Sequence, residues 1–140
     1  MGRRRQGRES ALQALYLMDT GRMSAAEGFL IATAGIQLDE KTAAFARELA
    51  DGTEARLEEL DERIRQTAKN WSLERMAAVD RNLLRLASFE LLHHPHTPVR
   101  VVIDEAIEIA KTFSSAESSK FINGILDKVK DHRTTEPEAT

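Results

Sequence analysis

Four arginines near the start of the chain have the chemistry to bind phosphate. Arg3, Arg4, Arg5 and Arg8 lie in the first turns of a predicted helix, where positive charge opposes the helix dipole and like charges four residues apart repel. Local helix stability therefore does not explain them. A planar guanidinium group donates two parallel hydrogen bonds to phosphate, and free N–H groups at a helix start bind the same anion. The cluster indicates a polyanion contact, with a solubilising basic tail as the alternative.

A second cluster combines an aromatic ring, a basic side chain and a glycine on the last predicted helix. Phe121 precedes Ile122 of the apolar stripe and is turned about 100° away from it. Lys120 is adjacent, and Gly124 costs about 1 kcal/mol in a helix interior, where glycine often marks the close approach of another backbone. Unpaired RNA bases stack on exposed aromatic rings while basic groups hold the phosphates. Phe121 is therefore either a side chain at the core edge or, beside the arginine cluster, part of a groove for single-stranded RNA.

The remaining polar clusters do not form a recognisable catalytic or metal site. His93, His94 and His96 lie at a predicted helix end, where the dipole favours histidine, and no carboxylate or cysteine nearby in the sequence completes a metal shell. Asp104 and Glu108 share a helix face without a partner that would make a catalytic pair. No phosphate-binding glycine loop or dinucleotide-binding turn occurs. We predict a protein that is not an enzyme and that uses no cofactor or metal.

Length, composition and charge place these clusters in one small domain. The 140 residues suffice for a domain with its own core, and cysteine is absent. No apolar run approaches the ~20 residues needed to cross a bilayer, which predicts a cytoplasmic protein with no membrane contact. Residues 2–22 carry five arginines against two carboxylates, whereas residues 38–70 carry nine carboxylates against six basic groups. The net charge of −3 therefore conceals a cationic end and an acidic middle.

Apolar positions recur with helical spacing, and no stretch alternates with the period of a strand. The predicted fold is all-α, with about seven helices in a bundle-like domain. The third segment is either one long helix or two nearly collinear ones. The predicted segments cover about 4–19, 24–35, 40–69, 77–93, 98–113 and 115–131.

The helix ends and buried faces follow from local signals. The first helix turns Leu12, Leu15 and Tyr16 inward, and residues 24–27 form a capping box that opens the second. The helix at 77–93 is apolar nearly all round and is predicted to be the central core helix.

The two C-terminal helices have their own start signals. Thr97 is the predicted cap and Pro98 the first residue of the helix that buries Phe113. Residues 114–117 form the capping box of the last helix.

Three charged residues lie on otherwise apolar helices. Arg85, Glu90 and Glu105 are predicted to form buried ion pairs or hydrogen bonds that hold helices together rather than to catalyse.

Three blocks of the sequence resemble the NusB family of bacterial transcription antitermination factors, which bind RNA. The blocks are residues 2–16, 79–92 and 111–127, and they occur in the order and spacing of the family. The resemblance implies a NusB-like fold of two packed helical subdomains.

The domain limits combine this resemblance with the composition of the chain. We expect one domain at 1–132, with an N-terminal subdomain at about 3–70 and a C-terminal one at about 72–131. A flexible polar tail is predicted at 133–140.

The resemblance also implies two sets of binding residues. Tyr16 and Asp80 match positions that bind NusE, a small-subunit ribosomal protein; from the residues alone Tyr16 is either core or interface. Many relatives have glycine where this chain has Ser114, so a contact that needs a positive φ is not implied there. The implied RNA contacts are Arg3, Arg4, Arg5, Arg8, Phe113, Ser114, Glu117, Ser118, Lys120 and Phe121.

The function implied is transcription antitermination. NusB-like factors bind boxA, a short single-stranded element of ribosomal RNA operon leaders, together with NusE, and act with other Nus factors in a complex on RNA polymerase. Two alternatives are an RNA-binding domain related to those of ribosomal RNA methyltransferases and a helical protein–protein adapter.

Overall fold

The computed structural model describes residues 2–133, which form seven α-helices and two short 3-10 helices. No strand occurs among these residues, so the predicted all-α fold is confirmed. Of the tail predicted at 133–140, only Arg133 lies within the described residues. The 3-10 helices cover Leu73–Arg75 and Lys130–His132. The α-helices are α1 (Arg3–Gly21), α2 (Ala25–Ala32), α3 (Glu40–Ala55), α4 (Leu57–Thr67), α5 (Ala78–His93), α6 (Val99–Phe113) and α7 (Ala116–Val129).

Helix α5 is the centre of the fold, as its apolar sequence predicts. Residues 82–91 are all buried, and α1, α3, α4, α6 and α7 pack against this helix. Helices α1, α2 and α3 pack together, and α6 packs on α7. Helix α4 precedes the predicted subdomain boundary near residues 70–72, yet it packs on α5 and α7.

Helices α1 and α5 run in opposite directions. Arg8, near the start of α1, bonds to Glu90 near the end of α5. Asp19, near the end of α1, accepts hydrogen bonds from Arg81 and Asn82 near the start of α5. Since α1 has 19 residues and a helix rises about 1.5 Å per residue, its two ends lie about 28 Å apart. Groups at its two ends therefore cannot share one compact site.

Most predicted helices form, and the N-terminal boundaries differ in detail. The capping box at Ser24 is confirmed, but α2 ends at Ala32 rather than near Gly35. The predicted segment at 40–69 is two helices, because the non-helical backbone of Arg56 (φ −116°, ψ 24°) separates α3 from α4.

Both predicted starts of the C-terminal helices are wrong by one residue. Pro98 rather than Thr97 occupies the position before α6, with no side-chain cap. Ser115 rather than Ser114 caps α7, because its Oγ accepts a hydrogen bond from the Ser118 N–H at 3.0 Å. The serine run offers several hydroxyls, and only the folded backbone determines which one reaches the free N–H groups.

Two glycines permit close packing between helices. A Cβ at Gly28 would lie 2.5 Å from the carbonyl oxygen of Ala14, so this glycine lets α2 approach the backbone of α1. A Cβ at Gly52 would lie 2.2 Å from the ring of Phe89, so this glycine lets the Phe89 side chain of α5 pack directly on the backbone of α3. Gly52 lies inside α3.

We expect Gly28→Ala to lower the free energy of unfolding by about 1–3 kcal/mol, because the new methyl group meets backbone atoms that cannot turn aside. The intrinsic helix preference of alanine over glycine favours the opposite sign by about 1 kcal/mol. Urea unfolding followed by circular dichroism measures the change. Gly124→Ala is the control, since within the described part of the chain nothing outside its own helix backbone lies within 4 Å of its Cβ. Equal stabilisation of both variants would contradict close α1–α2 packing.

Candidate nucleic-acid interface

The structure divides the arginine cluster into a structural pair and an exposed pair. Arg5 donates two hydrogen bonds of 2.8 Å to Glu105 on α6. Arg8 donates two, of 2.9 and 2.6 Å, to Glu90 on α5, and its Nη1 lies 3.9 Å from Glu105. Tertiary ion pairs therefore explain two of the four arginines that local helix stability leaves unexplained.

The Arg8–Glu90 pair is inside the protein. The side chains are 6% and 1% exposed, so each charge depends on the other for compensation. The hydrogen bond from Arg5 lowers the pKa of Glu105, against the opposing effect of burial. Glu105 is therefore a carboxylate at neutral pH and can compensate both arginines.

Arg3 and Arg4 remain at the surface. The Arg3 side chain is 82% exposed and has one ion pair, 3.3 Å from Asp39. The Arg4 guanidinium lies over Phe45, with Cζ 4.0 Å from the ring centre. Both border a small depression that Lys41 also lines. The phosphate-binding chemistry predicted for the cluster is available at this end of α1.

A second buried network joins the other end of α1 to α4 and α5. Arg85 donates hydrogen bonds of 2.7 and 2.9 Å to Asp61 and lies 3.3 Å from Asp19. Burial would raise the pKa of Asp19, but hydrogen bonds from Asn82 and Arg81 and the charge of Arg85 lower it overall. The prediction that Arg85, Glu90 and Glu105 hold helices together is confirmed.

The histidines pair with carboxylates from distant positions. His93 Nε2 lies 2.8 Å from Glu59, and His94 Nε2 lies 3.0 Å from Glu48. The hydrogen bond from His93 lowers the pKa of Glu59. Within residues 2–133, no three metal-ligating side chains gather at one point.

The turn before α7 joins Ser118 to Asp80. The Ser118 hydroxyl donates a 2.9 Å hydrogen bond to Asp80 Oδ2, and Ser114 and Ser115 donate to that hydroxyl. Asp80 is 5% exposed, and its Oδ1 has no hydrogen-bond partner among the described residues. Ser114 has a negative φ of −131°. Of the residues predicted in this turn, Glu117 is at the surface and Ser118 is buried.

Tyr16 and Phe113 line one apolar surface depression of about 290 Å³, together with Val79 and Leu17. Tyr16 is 39% and Phe113 37% exposed, so the prediction that both turn into the core is wrong. Each lies at the edge of its helix stripe, where only the packing of neighbouring helices determines exposure. Phe113 and Phe121, both predicted RNA contacts, line different depressions.

Phe121 stacks on Trp71, with ring centres 4.9 Å apart and planes at 21°. This pair borders an open groove of about 760 Å³ between α4 and α7. Trp71 was not among the predicted binding residues, yet it is 52% exposed. Its polar neighbours Asn70 and Ser72, at a break between helices, were the available signal. We call this the Trp71 groove, lined by Arg63, Lys69, Trp71, Phe121, Gly124 and Lys128.

Two expectations for this region are wrong. Among residues 2–133, no backbone of another element approaches Gly124, because nothing outside its own helix backbone lies within 4 Å of its Cβ position. Phe121 is also not beside the arginine cluster. It borders the same depression as Asp80, at the start of α5, whereas Arg3 and Arg4 lie near the end of α5. The antiparallel packing of α1 on α5 separates them.

The sequence profile of the NusB family matches residues 5–131, which is nearly all of the described chain. The chain belongs to the NusB family. Transcription antitermination protein NusB of Heliobacterium modesticaldum is 51% identical over 126 residues, covering 90% of this chain and 61% of that protein. This chain therefore spans about three-fifths of the length of that relative.

Solved NusB structures share the fold. T. maritima NusB superimposes with a TM-score of 0.85 at 36% identity, covering 93% of this chain and 92% of that chain. A NusB crystallised with NusE and double-stranded RNA superimposes with a TM-score of 0.83 at 26% identity, covering 92% and 96%. None of the helices between residues 2 and 133 has the length and apolar character required to span a membrane.

We expect Arg8→Ala to lower the free energy of unfolding by about 3–5 kcal/mol, because it leaves the Glu90 charge buried without its partner. Arg4→Ala, at the exposed end of the cluster, should change stability by less than about 0.5 kcal/mol. Urea unfolding at neutral pH compares the two variants. Similar small effects would show that the Arg8–Glu90 contact does not hold α1 on α5.

Proposed function

We propose that this chain is a transcription antitermination factor that binds boxA-type single-stranded RNA of ribosomal RNA operon leaders together with NusE. It acts within a complex of Nus factors on RNA polymerase, in the cytoplasm. The observation that carries the proposal is the match, along nearly the whole chain, to a NusB that was crystallised with NusE and double-stranded RNA; the preference for single strands rests on the exposed aromatic rings. The RNA-binding and partner-binding residues below belong to the same proposal.

The RNA surface begins at the exposed end of α1. Arg3 and Arg4 supply charged donors for phosphate oxygens, since neither is held by a buried carboxylate. Arg5 and Arg8 contribute by fixing this end of α1 on α5 and α6, because their guanidinium groups already bond to Glu105 and Glu90. Arg5 keeps a partly exposed side chain, 33%, that can also contact a phosphate.

The second part of the RNA surface lies around the start of α7. Lys120 is 77% exposed and has only a loose pair, 3.6 Å from Glu117. Phe121 presents an aromatic ring for a base. Ser114, Glu117 and Ser118 form the polar turn that precedes it. An RNA strand that touches both parts of the surface spans a distance comparable to the length of α1, about 28 Å.

The partner surface is the apolar depression that contains Tyr16. Tyrosine is a common anchor of protein interfaces, because it combines a large apolar ring with a hydroxyl. Phe113 lines the same depression, so we assign it to the border between the RNA and NusE surfaces. Asp80 acts indirectly on this surface. It is buried, accepts a hydrogen bond from Ser118, and directly follows Val79, which lines the depression.

We expect the affinity for boxA-type RNA to fall with salt, and the double variant Arg3→Gln/Arg4→Gln to make this fall less steep. Each phosphate contact on a single strand contributes about 0.7 to the slope of log affinity against log salt, so the magnitude should drop by about 1.4. Fluorescence anisotropy of labelled RNA at several salt concentrations measures it.

A charge-matched variant controls for net charge. Arg47→Gln/Arg56→Gln removes two exposed arginines of the α3 region and should leave the slope nearly unchanged. A duplex of the same sequence tests the preference for single strands. If both double variants reduce the slope equally, the arginines of α1 act only through net charge.

We expect NusE to tighten RNA binding. Tyr16→Asp should reduce that gain in affinity about tenfold or more, while leaving RNA binding by the chain alone nearly intact. A partner that touches both protein and RNA must raise RNA affinity by the factor by which RNA raises partner affinity. The measurement is an RNA titration with and without NusE.

Leu30→Asp is the matched control for Tyr16→Asp. It introduces the same charge at another exposed apolar side chain, on α2, and should preserve the NusE gain. Asp80→Lys is less informative, because it also breaks a buried hydrogen bond. Equal loss of RNA affinity with and without NusE in Tyr16→Asp would place Tyr16 in the RNA surface instead.

A further inference from the structure

We propose that the Trp71 groove binds the same single-stranded RNA, with one base stacked on the free face of Trp71 and phosphates held by Arg63, Lys69 and Lys128. This inference rests on the proposed function and extends its RNA surface from the start of α7 along the space between α4 and α7. The groove volume of about 760 Å³ is within the roughly 300–1,000 Å³ typical of ligand sites.

The first supporting observation is an aromatic pair that exposes one large ring. Phe121 covers one face of the indole at 4.9 Å, yet Trp71 remains 52% exposed. Stacking on Phe121 restricts the orientation of the indole, so a base that joins the stack loses less conformational entropy than on a free side chain. Bases of any type stack on such a surface, which suits single-stranded RNA.

The second observation is the charge of the groove. Among residues 2–133, no carboxylate lies within ion-pair distance of Arg63, Lys69 or Lys128, and Asp131 is the one carboxylate of the lining. Two other lysines of this part of the chain, Lys120 and Lys130, do pair with carboxylates three residues away. The cations that border the groove therefore have no carboxylate partner among residues 2–133 and are available to a phosphate backbone, in addition to the loosely paired Lys120.

The third observation is Gly124. A glycine inside a helix costs about 1 kcal/mol relative to alanine, and no protein atom near Gly124 requires the missing side chain. Gly124 lines the groove beside Phe121. Because Gly124 has no side chain, this part of the groove stays open to a ligand. Ligand binding would therefore explain why the helix contains a destabilising glycine.

Intrinsic fluorescence reports on this site directly, because Trp71 is the only tryptophan of the chain. Titration of the full chain with boxA-type RNA should quench Trp71 emission, with the same midpoint as the anisotropy of the labelled RNA, and added salt should reverse it. An RNA that binds in the anisotropy assay without changing Trp71 emission would overturn the inference.

Variants test the groove independently of emission. Trp71→Ala should weaken RNA binding about tenfold, the loss of one stacked base, and Trp71→Phe should retain most of the affinity. Gly124→Leu should weaken binding without lowering the melting temperature, since it fills open space. Lys69→Gln should reduce the salt slope by about 0.7, whereas Arg56→Gln, at the other end of α4, should not.

The outcomes separate this inference from the proposed function. If the wild-type chain binds RNA but Trp71→Ala and Gly124→Leu bind equally well, the groove is not part of the RNA surface, and the Arg3–Arg4 surface stands. If the wild-type chain binds no boxA-type RNA with or without NusE, the proposed function and this inference both fail. Trp71→Ala could also lose RNA affinity together with a lower melting temperature, with no recovery of affinity in Trp71→Phe. That result would indicate a structural role for Trp71 and overturn the proposal that a base stacks on it.

Discussion

The buried ion pair between Arg8 and Glu90 is the contact on which the arrangement of the functional surfaces depends. It joins the first helix to the central helix with both charges almost fully removed from water. Such a pair adds little net stability compared with an apolar contact, but a single unpaired partner is costly. The pair therefore restricts how α1 lies on α5. Glu105 extends the constraint to α6 through Arg5.

This constraint separates the arginines by role. Arginines that look equivalent along the sequence differ once α1 is packed: two are held by carboxylates of α5 and α6, and Arg3 and Arg4 remain at the surface. The packing of α1 on α5 also places the exposed Arg3 and Arg4 near the end of α5. The Arg85, Asp61 and Asp19 network holds the other end of α1 and gives α4 its position on α5.

The position of α4 has consequences for the aromatic groups. Because α4 packs on α5 and α7, the segment that follows it brings Trp71 against Phe121. The exposed aromatic rings then lie on two different surfaces: Tyr16 and Phe113 around an apolar depression, and Trp71 with Phe121 beside a basic groove. An apolar depression suits a protein partner, and a basic groove with an aromatic floor suits a nucleic acid.

The sequence by itself determined the all-α class, the central role of α5, the capping box of α2 and the charged residues that join helices. The first three depend on periodicity and on contacts within a turn or two, which local chemistry controls. The charged residues were recognisable because a charge on an otherwise apolar helix face needs a buried partner. Tertiary structure alone decided which arginines are paired and which are free. It also decided the exposure of Tyr16, Phe113 and Trp71 and the distance between the arginine cluster and Phe121. Arg5 meets its partner 100 residues away and Arg8 meets Glu90 82 residues away, and no local pattern encodes which helices provide those carboxylates.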